Sequence, residues 1–174
     1  MVLIMINLIL LSYTLKTLLN KEDIMLLLND VGKKYVLLYD TMTLNTKMFC
    51  DKVKKKYGNK IAVHNIKQIL NDFGYYKVSG NESNKIEIHL ITYTIMQGEV
   101  PKTTLELLEK YKFKDIVKTI SSTGQKNWGK DLFAVAVDEV NKLYPNIEKG
   151  LKIELQGTSR DVDNMAKMIL GDDF

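Results

Sequence analysis

Five short apolar runs alternate with segments of helical periodicity, and this alternation constrains the fold more than any other feature of the sequence. The first run is continuously apolar, which is typical of a strand that is buried on both faces of a sheet, whereas the other four runs include polar or charged residues. They predict strands over Lys34–Asp40, Lys60–Ile66, Lys85–Tyr93, Asp115–Ser122 and Leu151–Gln156. Strands separated by helices form parallel sheets, so the pattern predicts an α/β doubly wound sandwich with a five-stranded parallel sheet.

The segments between the runs carry apolar residues at helical spacing. A helix is predicted over Asn45–Tyr57, and Pro101 fits the first turn of another, where its missing N–H costs nothing. A long helix is predicted from one buried stripe, which consists of Leu132, Phe133, Ala136, Val137, Val140 and Leu143. The last helix is expected to start at Thr158–Asp161, and the stretch from Lys67 to Lys85 is predicted as a short helix and a solvated loop.

Composition places the chain in the class of single-domain proteins. Its 174 residues, 45% of them hydrophobic, are enough for one compact domain. The single cysteine, Cys50, excludes an intramolecular disulfide and is typical of a reducing, cytoplasmic setting. The formal net charge of +4 is spread along the chain without an arginine-rich stripe, so we expect no nucleic-acid partner.

Residues 1–30 form an apolar N-terminal extension that differs from the rest of the chain. The run Val2–Leu15 is shorter than the ~20 residues that a membrane-spanning helix needs, and it reaches that length only by including Lys16. Three interpretations remain: a membrane-associating helix, a helix packed on the domain, or translation from a start upstream of a natural one at Met25. We favour the last, so membrane association through residues 1–24 is not the expected role.

Polar loops follow three of the predicted strands, at Thr41–Thr46, Thr92–Pro101 and Thr123–Gly129. In an open parallel sheet the carboxyl ends of the strands meet at one edge, and ligands bind there, where the strand order reverses. The three loops are therefore expected to converge on one ligand.

The loop Thr41–Thr46 precedes the first predicted helix and offers three threonine hydroxyls and the amide of Asn45. Unpaired backbone N–H groups in a first helical turn attract phosphate, and these side chains would add hydrogen bonds to it. The alternative is that the threonines only cap the helix. Neither GxxxxGK[ST] nor GxGxxG occurs in the sequence, which disfavours a nucleoside triphosphate or a dinucleotide and favours a smaller phosphorylated ligand.

Three motifs together resemble the NrdI family, the flavodoxin-like FMN proteins that accompany class Ib ribonucleotide reductase. They are ITYTIMQGEVP (91–101), TGQKNWG (123–129) and ELQGTSRDV (154–162), in the family's order and at its intervals. The resemblance covers roughly Lys34 to Ile169. It implies that residues 31–174 form one flavodoxin-like FMN-binding domain with the strand order 2-1-3-4-5.

The resemblance also implies where FMN would bind. The phosphate would lie in the first loop, formed by Thr41, Met42, Thr43, Leu44, Asn45 and Thr46. The isoalloxazine ring would lie between two groups of residues, Thr92, Tyr93, Thr94 and Gly98 on one side and Thr123, Gly124, Gln125, Trp128 and Gly129 on the other. Two positions depart from the family: Leu44 stands where many relatives carry glycine, and Gln125 replaces the usual asparagine.

The family implies a redox accessory protein rather than a stand-alone enzyme. Reduced FMN would react with oxygen and supply superoxide for the metal-radical cofactor of the reductase small subunit, the expected partner, and a further partner would reduce the flavin. A general electron-transfer flavodoxin is the alternative, and a flavodoxin-like module without cofactor is a third possibility. The mild positive charge disfavours the general flavodoxin, because such proteins have strongly acidic surfaces.

No other residues form a catalytic or metal-binding constellation. Asp40, Asp131 and Asp161 are interpreted as ordinary charges of loops and helix ends. The two histidines, His64 and His89, lie within predicted strands and are expected to be structural, with their hydrogen bonds satisfied. Cys50 is expected to be a small buried hydrophobe.

Overall fold

The computed structural model describes residues 33–72 and 86–174. The strands are β1 (Tyr35–Tyr39), β2 (Ile61–Asn65), β3 (Glu87–Tyr93), β4 (Val117–Gly124) and β5 (Glu148–Glu154). The helices are α1 (Asn45–Tyr57), α2 (Ile66–Asp72), α3 (Lys102–Glu109), α4 (Ala136–Leu143) and α5 (Ser159–Leu170). All strand pairs are parallel, and the order is β2-β1-β3-β4-β5, which confirms the predicted doubly wound sheet.

The sheet separates two apolar cores because successive side chains of a strand point to opposite faces. On one face, Val36 and Leu38 of β1 pack with residues of α2, α3 and α4. On the other face, Leu37 and Tyr39 pack with residues of α1 and α5, among them Cys50, which is fully buried as predicted. Every residue of β1 is buried, as a continuous apolar run requires.

The connections after β1 and β3 leave the sheet on opposite faces, although these two strands are neighbours. The chain after β1 enters α1 on one face, whereas the chain after β3 enters α3 on the other. A crevice therefore opens between the two connections at the carboxyl edge of the sheet. The amide of Asp40 still donates to the carbonyl of Ile91 over 3.0 Å, so the two strands stay joined up to this crevice.

The long helix predicted before β5 is shorter than expected. Turns occupy residues 130–135, and Ala134 has a positive φ of 50°, which a right-handed helix cannot include. Leu143, at the other end of α4, is 59% exposed, so its assignment to the buried stripe was wrong. Strand β4 also ends two residues later than predicted, so Thr123 and Gly124 belong to the strand rather than to the loop.

The last helix begins as predicted. Thr158 and Asp161 form a reciprocal capping box, in which the Thr158 amide donates to the Asp161 carboxylate over 2.7 Å. Within residues 33–72 and 86–174 no helix has both the length and the apolar character to cross a membrane. The apolar extension over residues 1–30 and most of the predicted loop before β3 lie outside the described residues.

Candidate functional site

A cleft of about 230 Å³ lies at the carboxyl ends of β3 and β4, beside the start of α1. All three predicted loops contribute to its wall, so the expected convergence is observed. Its lining residues are Met42, Thr43, Asn45, Tyr93, Thr94, Ile95, Thr123, Gly124, Gln125, Trp128 and Leu155.

The first loop leaves the N-terminus of α1 open. Leu44 occupies the N-cap position in the left-handed conformation, with φ of 65°, and no side chain caps the helix there. The threonines of this loop therefore do not serve as the N-cap of α1, which was the alternative interpretation. The buried hydroxyl of Thr41 has no hydrogen-bond partner among the described residues. An uncapped helix start beside an unpaired hydroxyl is suited to an anionic ligand.

The departure at Leu44 has a structural explanation. A left-handed backbone is costly for a residue with a Cβ atom, whereas glycine adopts it freely. Leucine accepts this cost here with a side chain that is 58% exposed and fills no core position. Thr46, two residues later, is buried and shares a 2.8 Å hydrogen bond with Thr123, which ties the first loop to the end of β4.

The second loop contributes to both sides of the sheet. Tyr93 and Thr94 line the cleft, but the hydroxyl of Thr92 points to the opposite face, 2.7 Å from that of Thr104. Gly98 has a φ of 89°. It lines a neighbouring groove of about 600 Å³ between α3 and α4, together with Val100, Leu105 and Val135.

The third loop lies at the other side of the cleft. Trp128 lines the cleft with 39% of its surface exposed, so it is not an ordinary core residue. It ends a short 3₁₀ turn, Lys126–Trp128, and Gly129 follows with a φ of 93°. The main-chain carbonyl of Gly124 accepts from the amide of Leu155 over 2.8 Å, which brings the chain after β5 into the cleft wall.

Nine of the fifteen residues predicted to bind the ligand line this cleft, whereas Thr41, Leu44, Thr46, Thr92, Gly98 and Gly129 lie in the same loops or strand ends without lining it. Sequence reasoning missed Ile95 and Leu155. Both lie inside the family motifs, so the motifs carried the signal. Their apolar side chains gave no separate indication of a ligand.

Asp40 lies at the end of β1, next to the first loop, and does not line the cleft. It was interpreted as an ordinary loop charge and is instead fully buried. Burial raises the pKa of its carboxyl group, while Lys67 and a hydrogen bond from Thr104 act in the opposite direction. Burial and, secondarily, the charge of Asp40 raise the pKa of Tyr93 in the cleft wall.

Both histidines lie in strands as predicted, but neither is fully satisfied. His89 shares a 2.8 Å hydrogen bond with Thr119 through Nδ1, and burial lowers its pKa to about 4. The buried Nε2 atoms of His64 and His89 have no partner among the described residues. No cluster of metal-ligating side chains occurs within residues 33–72 and 86–174.

Comparison with known proteins identifies relatives of this chain. The family model described as "NrdI Flavodoxin like" matches residues 37–167. Protein NrdI of Bacillus licheniformis is 34% identical over 127 residues, which cover 73% of this chain and 81% of the relative. The SPbeta prophage-derived protein NrdI of Bacillus subtilis is 36% identical over 86 residues, which cover 49% of this chain and 63% of the relative.

Several solved flavodoxins have the same fold. Oxidised flavodoxin 2 from Bacillus cereus aligns with a TM-score of 0.51 at 18% identity, over 81% of this chain and 99% of that one. A short-chain flavodoxin associated with a bacterial microcompartment aligns with a TM-score of 0.53 at 21% identity, over 80% and 95% of the two chains. These identities support the fold alone, whereas the family match and the Bacillus relatives determine the family. The chain belongs to the NrdI family of flavodoxin-like proteins.

Proposed function

We propose that the cleft binds FMN and that the protein is a redox accessory of class Ib ribonucleotide reductase, acting in the cytoplasm. The observation that carries the proposal is the cleft itself: the three loops that resemble the family's flavin-binding loops line one pocket at the switch point of the sheet. The family match over residues 37–167 supports the association with the reductase.

The residues of the cleft fit FMN. The uncapped start of α1, with the hydroxyls of Thr41 and Thr43 and the amide of Asn45, would hold the phosphate. Tyr93 and Trp128 offer aromatic faces for a flat ring, and both line the cleft. The backbone around Thr94 and Gly124 would supply hydrogen-bonding groups to the ring edge, which is how a protein adjusts the potential of a flavin.

The bound flavin would supply the redox chemistry: in its reduced form it would pass one electron to oxygen and so provide superoxide to the small subunit. The chain's own contribution would be to orient the ring and to dock the partner. Three exposed apolar residues line the cleft, Met42, Trp128 and Leu155, and the exposed Leu44 lies beside them in the first loop; we call these four residues the apolar rim. Such a patch is typical of an interaction site, so we propose that the small subunit covers this apolar rim. A second partner would reduce the flavin.

We expect the purified protein to bind FMN and not FAD, because the first loop accepts one terminal phosphate and the sequence contains no dinucleotide motif. The flavin released on denaturation identifies the cofactor by chromatography. Titration of the flavin-free protein, followed by quenching of flavin fluorescence, gives the affinity. Release of FAD, or failure of the flavin-free protein to take up FMN, would contradict the proposal.

Gly98→Val is expected to impair activation of the small subunit more than it impairs FMN binding. A β-branched residue at φ of 89° is strained, and its Cβ would lie 2.8 Å from Val135 Cγ1. Strain of about 1–3 kcal/mol corresponds to a loss of activation of roughly 5- to 150-fold if docking needs the native loop. FMN affinity should change less, because Gly98 does not line the cleft.

Gly171→Val is a matched control for this variant. Gly171 also has a positive φ, but it lies at the end of α5, where a Cβ atom would meet no other atom within 4 Å. Its strain should lower stability without reducing activation of the folded protein. An equal loss of activation in both variants would show that the effect of Gly98→Val is general destabilisation.

A further inference from the structure

Asp40 is a buried charge at a functional edge of the fold. Among the described residues it is the only carboxylate that is buried from solvent, and its exposed fraction is 0%. A buried carboxylate costs several kcal/mol unless it is well paired, so proteins rarely keep one without a role. It lies at the carboxyl end of β1, directly before the loop proposed to hold the phosphate.

The partners of Asp40 compensate this cost only in part. Oδ2 accepts a hydrogen bond from Thr104 over 3.2 Å, and Thr104 in turn lies 2.7 Å from the hydroxyl of Thr92. A backbone hydrogen bond from Thr41 also favours the ionised carboxylate. Oδ1 has no hydrogen-bond partner among the described residues. The nearest cation is Lys67 Nζ, at 3.9 Å from Oδ1, and its side chain is 46% exposed. The negative charge is therefore incompletely neutralised.

The charge of Asp40 can act on the cleft across the end of β3, although its hydrogen-bond partner Thr104 lies on the opposite face of the sheet. β1 and β3 are neighbours at the switch point, and the Asp40 amide is bonded to Ile91 there. Tyr93, two residues further along β3, lines the cleft, and burial and, secondarily, the charge of Asp40 raise its pKa. A ligand in the cleft lies in the same field, which the buried surroundings screen less than water would.

We propose that Asp40 sets the redox potential of the bound cofactor by holding a fixed negative charge at the end of β1, on the face of the sheet opposite the cleft. This inference rests on the proposed binding of FMN. Reduction adds electrons, and a step that takes up no proton leaves the flavin more negative. A nearby fixed anion opposes that step, so Asp40 keeps the fully reduced flavin a stronger electron donor.

The test is a redox titration of FMN-loaded wild-type and Asp40→Asn proteins at pH 8, with both one-electron potentials measured. The substitution removes the charge but keeps the size of the side chain. A unit charge at roughly 10 Å and an effective dielectric constant of about 20 changes an equilibrium about tenfold. We therefore expect the step without proton uptake to become about tenfold more favourable, which is about 59 mV for one electron.

Two matched variants separate charge from structure. Thr104→Val removes the hydrogen bonds to Asp40 and Thr92 but keeps the charge, so its potentials should stay close to those of the wild type. Asp51→Asn makes the same chemical change at an exposed carboxylate, which solvent screens, and should have little effect. If Thr104→Val shifts the one-electron potentials as much as Asp40→Asn does, the inference is wrong. Asp40 would then act through its hydrogen bonds, which position neighbouring residues, and not through its charge.

Stability of the flavin-free protein provides a second measurement. Burial raises the pKa of Asp40, so the ionised group costs stability as the pH rises through the folded-state pKa. Asp40→Asn should therefore unfold at the same temperature as the wild type or higher at pH 8. A clear loss of stability together with unchanged potentials would show a structural role and overturn the inference.

Lys67→Met tests the inference independently if Asp40→Asn does not fold. Removing this partly exposed counter-ion leaves the Asp40 charge less neutralised, so the same redox step should become less favourable. Unchanged potentials in Lys67→Met would count against the inference. A wild-type protein that binds no FMN would contradict the proposed function as well, whereas FMN binding with unchanged potentials in every variant would contradict only the role of Asp40.

Discussion

Reduced, FMN-loaded protein and oxygen are expected to activate a manganese-loaded class Ib small subunit from the same organism, whereas an unrelated flavodoxin is not. The expected difference is the largest that we predict, because under the proposed function the oxidant would have to pass to the partner without escaping into bulk water. The apolar rim formed by Met42, Leu44, Trp128 and Leu155 would exclude water when the partner covers it. The measurement is the tyrosyl-radical yield of the small subunit, with its reductase activity as a second readout.

Charged substitutions in the apolar rim provide the control for this assay. Met42→Lys and Leu155→Lys should weaken docking, because each places a charge in the contact. Phe174→Lys changes an apolar residue of intermediate exposure, 53% against 63% for Met42 and 36% for Leu155, beyond the end of α5 and should leave activation unchanged. Equal activation by the unrelated flavodoxin would favour the general electron carrier. Absence of activation with fully reduced protein would exclude the accessory role.

The central strands β1 and β3 could be predicted from the sequence because most of their residues are buried and most are apolar. The edge strand β5 has one buried residue of seven, yet the five runs still gave all five strands to within three residues at either end. The start of α4 could not be predicted, because the stripe of apolar residues continues through Leu132 and Phe133 without interruption. The positive φ of Ala134 ends the helical conformation there, and it depends on packing against β4.

The candidate site, too, could be predicted from the sequence only in part. The loops and most of the cleft residues follow from motifs that are contiguous in the sequence, including Tyr93 and Trp128. The burial of Asp40 does not, because its hydrogen-bond partner Thr104 lies 64 residues further along the chain. The direction of Thr92 away from the cleft follows from its register in β3, which a motif does not specify.

Gly124→Ala is expected to reduce both stability and FMN affinity. Gly124 lines the cleft at the end of β4, and a Cβ atom there would lie 2.5 Å from the backbone nitrogen of Ala134 and 3.0 Å from its Cα. Backbone cannot rotate away as a side chain can, so the segment before α4 must move. Overpacking of this kind costs about 1–3 kcal/mol.

Movement of the segment before α4 should also weaken ligand binding. Thr94, in the cleft wall, accepts a 3.2 Å hydrogen bond from the amide of Ala136, so movement of this segment disturbs the second loop as well. We expect FMN to bind roughly tenfold more weakly or worse, since about 1.4 kcal/mol corresponds to a tenfold change. Urea unfolding of the flavin-free protein and fluorescence titration with FMN measure the two effects separately.

A double-mutant cycle with Ala134→Gly identifies the cause. Glycine at position 134 removes a Cβ atom that would lie 3.3 Å from the new one, and it relieves the positive φ of 50°. The segment can then shift at lower cost, so the double variant should recover part of both the stability and the FMN affinity that Gly124→Ala loses. Residues in contact are expected to couple by about 0.5–3 kcal/mol. Additive effects of the two substitutions would therefore show that the contact between β4 and the segment before α4 does not shape the cleft.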